Sequence, residues 1–178
     1  VDVQDVSSQW AVLAAAQDLS ARIPALLPDR SGPAVVPAWQ DPWPGIAVGG
    51  HGYAAEQDHP GSARTWFEHL VPRDVLEPVV EALEREGFQL AGSWAAEALR
   101  IESWRPRWGA DTDEKTIPHE LDWMRTAVHL SKGCYRGQET VARVHNLGHP
   151  PRRLTFLDLD GSQHALPEAG AAVELSGR

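Results

Sequence analysis

Cysteine is nearly missing from this chain of 178 residues. Cys134 stands alone, so no intramolecular disulfide can form and nothing calls for an oxidising compartment. Lysine is almost as scarce: of sixteen basic side chains only Lys115 and Lys132 are lysine, which leaves fourteen arginines. Acidic residues outnumber basic ones, giving a formal net charge of −9, and this argues against broad contact with a phosphate backbone, so direct nucleic-acid binding is not expected. No apolar run approaches the ~20 residues that cross a bilayer, and no membrane partner is expected. The eight histidines show no His-Glu-x-x-His spacing and have no Cys-x-x-Cys beside them, so no metal site is assigned. The opening Val1-Asp2-Val3-Gln4-Asp5 has neither a signal-peptide pattern nor an initiator Met, which implies a cytoplasmic piece of a longer protein.

Strand and helix signals alternate irregularly, which points to an α+β fold. Strands are expected near Val1–Asp5, Trp10–Ala16, Pro33–Trp39, Gly45–Val48 and Thr65–Val71, the last two joined as a hairpin through Ala54–Ala63. A short helix capped by Asp18 or Ser20 ends near Leu26. The clearest helix runs from Asp74 to Glu86, with Val75, Leu76, Val79, Val80 and Leu83 in one stripe, an Asp74/Glu77 capping box and Gly87 as the stop. Phe88–Ala91 reads as a short strand. Ser93 caps a second helix, to about Trp104, whose inward stripe is Ala95, Ala98, Leu99 and, unusually, Glu102. An inward carboxylate is costly unless paired. It is therefore an ion pair, a residue turned outward by the helix end, or an acceptor for ligand N–H groups. After Leu147 the pattern changes: Leu154–Leu159 and Ala172–Leu175 read as strands, and a domain boundary falls between residues 147 and 152.

Chemistry concentrates in Lys132-Gly133-Cys134-Tyr135-Arg136-Gly137-Gln138-Glu139. Gly137 caps a helix that Gly148 ends. Cys134 lies just ahead of that helix and two residues from Lys132, and both features favour thiolate over thiol. A lone cysteine is equally a small buried apolar residue, and both readings stand. A nucleophile–base pair of Cys134 with His119, His129 or His145 would depend on the fold. Gly50-His51-Gly52-Tyr53 imitates a dinucleotide fingerprint, but an acidic, proline-broken stretch follows instead of a helix, so it reads as a turn. Pro151-Arg152-Arg153 reads as a solvated linker, most histidines as surface or locally satisfied residues, and the scattered tryptophans as packing.

The eight-residue stretch, with Ala142-Arg143 after it, resembles the signature of the YgfZ family of folate-binding proteins, relatives of the glycine-cleavage T-protein. Leu99-Arg100-Ile101-Glu102, Pro106-Arg107, Gly109 and Ile117-Pro118-His119-Glu120-Leu121 resemble further elements of that family. Ser103-Trp104 stands where Ala-Gly is usual, a departure that bears on the local backbone. The resemblance implies a ferredoxin-like α+β folate-binding region over 1–147, with the N-terminal part of the family fold absent, and the start of a C-terminal β-barrel over 148–178. It implies a tetrahydrofolate-type cofactor, with Glu102 facing the pterin and Tyr135, Gly137, Gln138, Glu139 and Arg143 also assigned to cofactor binding. Cys134, with Lys132, would be the reactive centre. It further implies support of iron–sulfur cluster assembly or repair and of iron–sulfur-dependent tRNA modification, with iron–sulfur proteins as partners. The alternative is a tetrahydrofolate-dependent aminomethyltransferase.

Overall fold

The structure is a computed structural model, and it describes residues 2–27, 35–53, 59–163, 165–168 and 170–174. Among these, strands β1 (Trp10–Ala15), β2 (Ala38–Gln40) and β3 (Phe67–Pro72) form one antiparallel sheet in the order β1-β3-β2. The register sets Trp10 opposite Pro72 and Ala38 opposite His69. Helices α1 (Arg22–Leu26) and α2 (Leu76–Arg85) accompany this sheet. The core is built from Leu19, Ile23, Val36, Val71, Val79 and Leu83. The Asp74–Glu86 stripe works as its spacing implies: Val79 and Leu83 are buried, with Val75 and Leu76 packed against them. The capping box does not form, because Arg73–Val75 makes a tight 3-10 turn and α2 begins without a side-chain cap. Gly87 ends the helix at φ +94°.

The expected hairpin between Gly45–Val48 and Thr65–Val71 is not present. β3 pairs with β1 and β2, while the 45–51 segment spends its amides on a different neighbour, with Ala47 N–H donating to Arg125 O and His51 N–H to Met124 O, both at 2.9 Å. The approach is so close that a Cβ at Gly50 would run into the carbonyl oxygens of Met124 and Arg125. The turn expected over Gly50–Tyr53 therefore serves as a clasp onto the segment that precedes the signature. Asp2–Asp5 and Phe88–Ala91 are irregular and pair with no strand among the described residues. Val1, Pro33, Ala34 and Ala54–Asp58, on which parts of the strand and hairpin expectations fall, lie outside the described residues.

Helix α3 (Ser93–Glu102) starts from Gly92 rather than from a Ser93 cap, and it buries none of its residues. Ala95, Ala98 and Leu99 form no inward stripe, and Glu102 is exposed. Helix α4 (Gln138–Leu147) follows the signature, with only Val141 buried. Beyond it the described residues form no strand: Leu154–Leu159 is irregular and half exposed, and the strand expected at Ala172–Leu175 is irregular through Glu174, with Leu175 outside the described residues. A strand signal without a partner strand forms no ladder, and here Leu154 N–H donates to Glu120 O instead, at 2.9 Å.

Candidate functional site

The signature loop is shaped by its glycines. Gly137 caps α4 at φ +84° and Gly148 ends it at φ +85°, both left-handed positions that glycine occupies without a Cβ clash. Gln138 Oε1 accepts from Tyr135 N–H at 2.9 Å, which folds the loop back onto the first turn of the helix. Lys132 Nζ sits 5.1 Å from the centre of the Tyr135 ring, within cation–π range. Cys134 is exposed, so the reading of a buried packing residue does not hold. It shares a shallow concavity of about 410 Å³ with Tyr135, Gly137, Gln138 and Glu139. Arg143 is exposed on α4.

Among the described residues no histidine hydrogen-bonds Cys134. His145 Nδ1 lies 2.9 Å from Tyr53 Oη, the His129 ring accepts from Ser131 N–H, and His119 is buried. Among the described residues the thiol thus has no hydrogen-bonded histidine to act as its base. Iodoacetamide is expected to label Cys134 in the native chain without denaturant, at one adduct per chain by mass spectrometry. A requirement for denaturant would mean that the loop covers it.

Glu102 lies elsewhere. It borders an open groove of about 1100 Å³ whose apolar walls come from β1, Trp66, Phe88, Leu90 and Leu99. Leu90, ahead of α3, is 68% exposed and Leu99, on α3, 48%, and Ala95, Ala96 and Leu99 turn an unfilled apolar face of α3 into this groove. The structure brings Cys134, Tyr135, Gly137, Gln138 and Glu139 together and leaves Glu102 on a separate surface that shares no residue with them.

At the C-terminal end of α3 lies a buried polar core that local sequence spacing did not signal. Asp41, 4% exposed, accepts from Arg64 Nε at 2.8 Å, from Arg105 Nε at 3.1 Å and from Trp43 N–H at 3.2 Å. Trp43 Nε1–H in turn donates to Ser103 O at 2.9 Å. The turn after β2 therefore grips the C-terminal end of α3. Just past that end Trp104 stands at φ +52°, a left-handed conformation that a bulky residue adopts at a cost of about 1–3 kcal/mol. This is the local consequence of a tryptophan in a position where glycine would be unstrained.

Asp122, also left-handed at φ +55°, accepts from Tyr53 N–H at 2.6 Å and Arg125 Nε at 3.0 Å. Burial, then the nearby Asp122 carboxylate, raises the Tyr53 phenol above its usual range. His59 Nδ1 accepts from Gly61 N–H. Burial first, and the Arg125 charge second, lowers the His59 imidazole, with Asp122 opposing. His119 is buried against Tyr53, and neither of its ring nitrogens finds a hydrogen-bond partner among the described residues. Burial, His145 and His51 push it down, while a backbone group of Val141 and the Glu120 carboxylate pull back. Arg152 is exposed, as a linker residue would be, but it is not free. Its guanidinium binds both Glu120 oxygens, at 3.1 and 2.8 Å, and also Asp113.

The fold and the loop define an α+β unit that presents an exposed thiol ahead of a glycine-bounded helix. The chain is YgfZ-like. It is 36% identical over 119 residues to the tRNA-modifying protein YgfZ of Enterobacter sp. (strain 638), a match covering 62% of this chain and 35% of that protein. It is 35% identical over 118 residues to the protein of the same name from Klebsiella pneumoniae (strain 342), and 35% identical over 117 to that from Escherichia coli (strain SMS-3-5 / SECEC), with the same coverage of 62% and 35%. The chain thus spans about a third of the length of these relatives, 35% in each case. No family model matches the chain, and no solved structure matches it.

Proposed function

We propose that the chain is the folate-binding α+β region of a protein that supports iron–sulfur enzymes and, through them, tRNA modification. The relatives' name, tRNA-modifying protein, supports the second half of this reading. The observation that carries the first half is the groove beside α3, which is apolar along its walls and carries the Glu102 carboxylate at one border. Those residues fit a reduced folate. Leu90, Leu99, Phe88 and Trp66 would cover the flat faces of a pterin, and Glu102 would accept from N–H donors along its edge. The bound folate would supply a one-carbon carrier or a redox-active ring; the chain itself would bind and orient it. On this reading the fold is the T-protein type, with residues beyond 148 opening a β-barrel. Cys134 would meet partner proteins from the other surface.

Glu102→Gln replaces one acceptor with a donor. It is expected to weaken binding of 5-formyltetrahydrofolate by about 1–3 kcal/mol, read by calorimetry. Equal affinities for mutant and wild type would remove Glu102 from the site, and no binding to the wild type would end the folate reading.

A further inference from the structure

Beside Trp104, just past the end of α3, lies a second cavity, of about 840 Å³, that the folate reading does not use. Its walls are aromatic. Trp104 runs nearly parallel to Phe156, with ring centres 6.2 Å apart and planes at 18°. Trp104 also meets His59 edge-on at 6.0 Å, and His59 meets Trp43 edge-on at 5.5 Å. The volume suits a small molecule, and a few fixed polar groups amid aromatic walls is the usual composition of such a site. Trp104 is the residue held at positive φ, so the backbone is strained in the conformation that brings this indole to the wall.

One polar group of the cavity has a free donor. His59 is 4% exposed, and its Nδ1 is already an acceptor for Gly61 N–H, so the ring proton sits on Nε2. The nearest carboxylate oxygen, on Asp122, is 3.8 Å away, beyond hydrogen-bond reach. Nε2–H is therefore available to an acceptor. At the mouth Arg152 is committed to Glu120 and Asp113. Arg153 also lines the cavity, is exposed, and makes no ion pair among the described residues.

We propose that this cavity binds a single nucleobase-type ring, stacked on Trp104 and Phe156, accepting from His59 Nε2–H, with an attached phosphate at Arg153. Every base has a face to stack and a ring nitrogen or carbonyl to accept. A one-base pocket needs no extended basic surface, so the net charge of −9 is no obstacle. The ring has two sources, a free nucleotide or an unpaired residue of an RNA strand, and the two share this chemistry.

The test titrates the 178-residue chain, by calorimetry and saturation-transfer NMR, with AMP, GMP, CMP and UMP and with a mixed single-stranded RNA heptamer. Binding is expected from at least one probe, with saturation transferred to base protons. Mononucleotide binding marks free nucleotide as the source, and binding of the heptamer alone marks RNA. Trp104→Gly strips the stacking wall at a position glycine tolerates, and is expected to weaken binding about tenfold or more. Phe156→Leu, at a residue 39% exposed, leaves the fold in place and is expected to weaken it several-fold. Glu102→Gln is expected to leave nucleotide binding unchanged, which separates this site from the folate groove. The proposal is overturned by no binding from any probe at about 1 mM, where only very weak affinity escapes detection. It is also overturned by full affinity in both aromatic variants, or by loss of folate rather than nucleotide binding in Trp104→Gly.

Discussion

Asp41→Asn is expected to lower the free energy of unfolding by about 3–5 kcal/mol, because it strips the shared partner from two arginines held in a poorly solvated place. Asp41 is 4% exposed and binds Arg64 Nε at 2.8 Å and Arg105 Nε at 3.1 Å. The Arg64 side chain is itself only 7% exposed, so water cannot replace the lost carboxylate. Against a native stability of roughly 5–15 kcal/mol, this is a large fraction. Urea unfolding followed by far-UV dichroism measures it. The double variant Asp41→Asn, Arg64→Met should cost less than the sum of the two single changes, since each single change strands a charge that the pair of changes removes. Additive losses, or a loss below about 1 kcal/mol for Asp41→Asn, would show that the cluster is peripheral to stability.

The second large effect is acid sensitivity. His59 and His119 both have imidazoles lowered from the ordinary 6.5 by burial. A histidine whose folded value is depressed binds its proton more readily when unfolded, so protonation favours the unfolded chain. Stability is therefore expected to be level above about pH 6.5 and to fall as pH drops below it. The fall ends only when the depressed folded-state values are passed. Each histidine contributes a slope of up to about 1.4 kcal/mol per pH unit inside that window. Asp113, held low chiefly by Arg152 and secondly by Thr116, acts only in a more acidic window. Urea midpoints between pH 7.5 and 5 read the effect, and His119→Leu should flatten part of the curve. An unchanged slope in that variant would mean that His119 gains its proton without opening the fold.

How far these groups were legible depends on how local their signals are. The Val75–Leu83 stripe and the stops at Gly87 and Gly148 depend on residues three or four apart, and the structure keeps all of them. The periodicity of α3 was equally plain, yet it names which face is apolar and says nothing about whether another element covers that face. Hence Ala95, Leu99 and Glu102 border an open groove and not a core. The sheet order was not legible, since β3 chooses between partners far along the chain, and its β2 neighbour is a strand of three residues with none buried. Nor was the Asp41 cluster: its arginines lie 23 and 64 positions away, separations that no motif spans. Trp104 carried the one usable hint, a tryptophan where the resembling family has glycine, and its φ of +52° is the outcome.

The clasp of Arg152 on Glu120, reinforced by Leu154 N–H donating to Glu120 O at 2.9 Å, joins positions 32 apart. It turns the intervening chain into a closed loop that contains the whole thiol signature and α4. The entropy of closing such a loop grows only as the logarithm of its length, so doubling it costs about 0.6 kcal/mol. Residues inserted beside Cys134 would therefore scarcely loosen the clasp, and the signature can vary in length or reach toward a partner while both of its ends stay anchored.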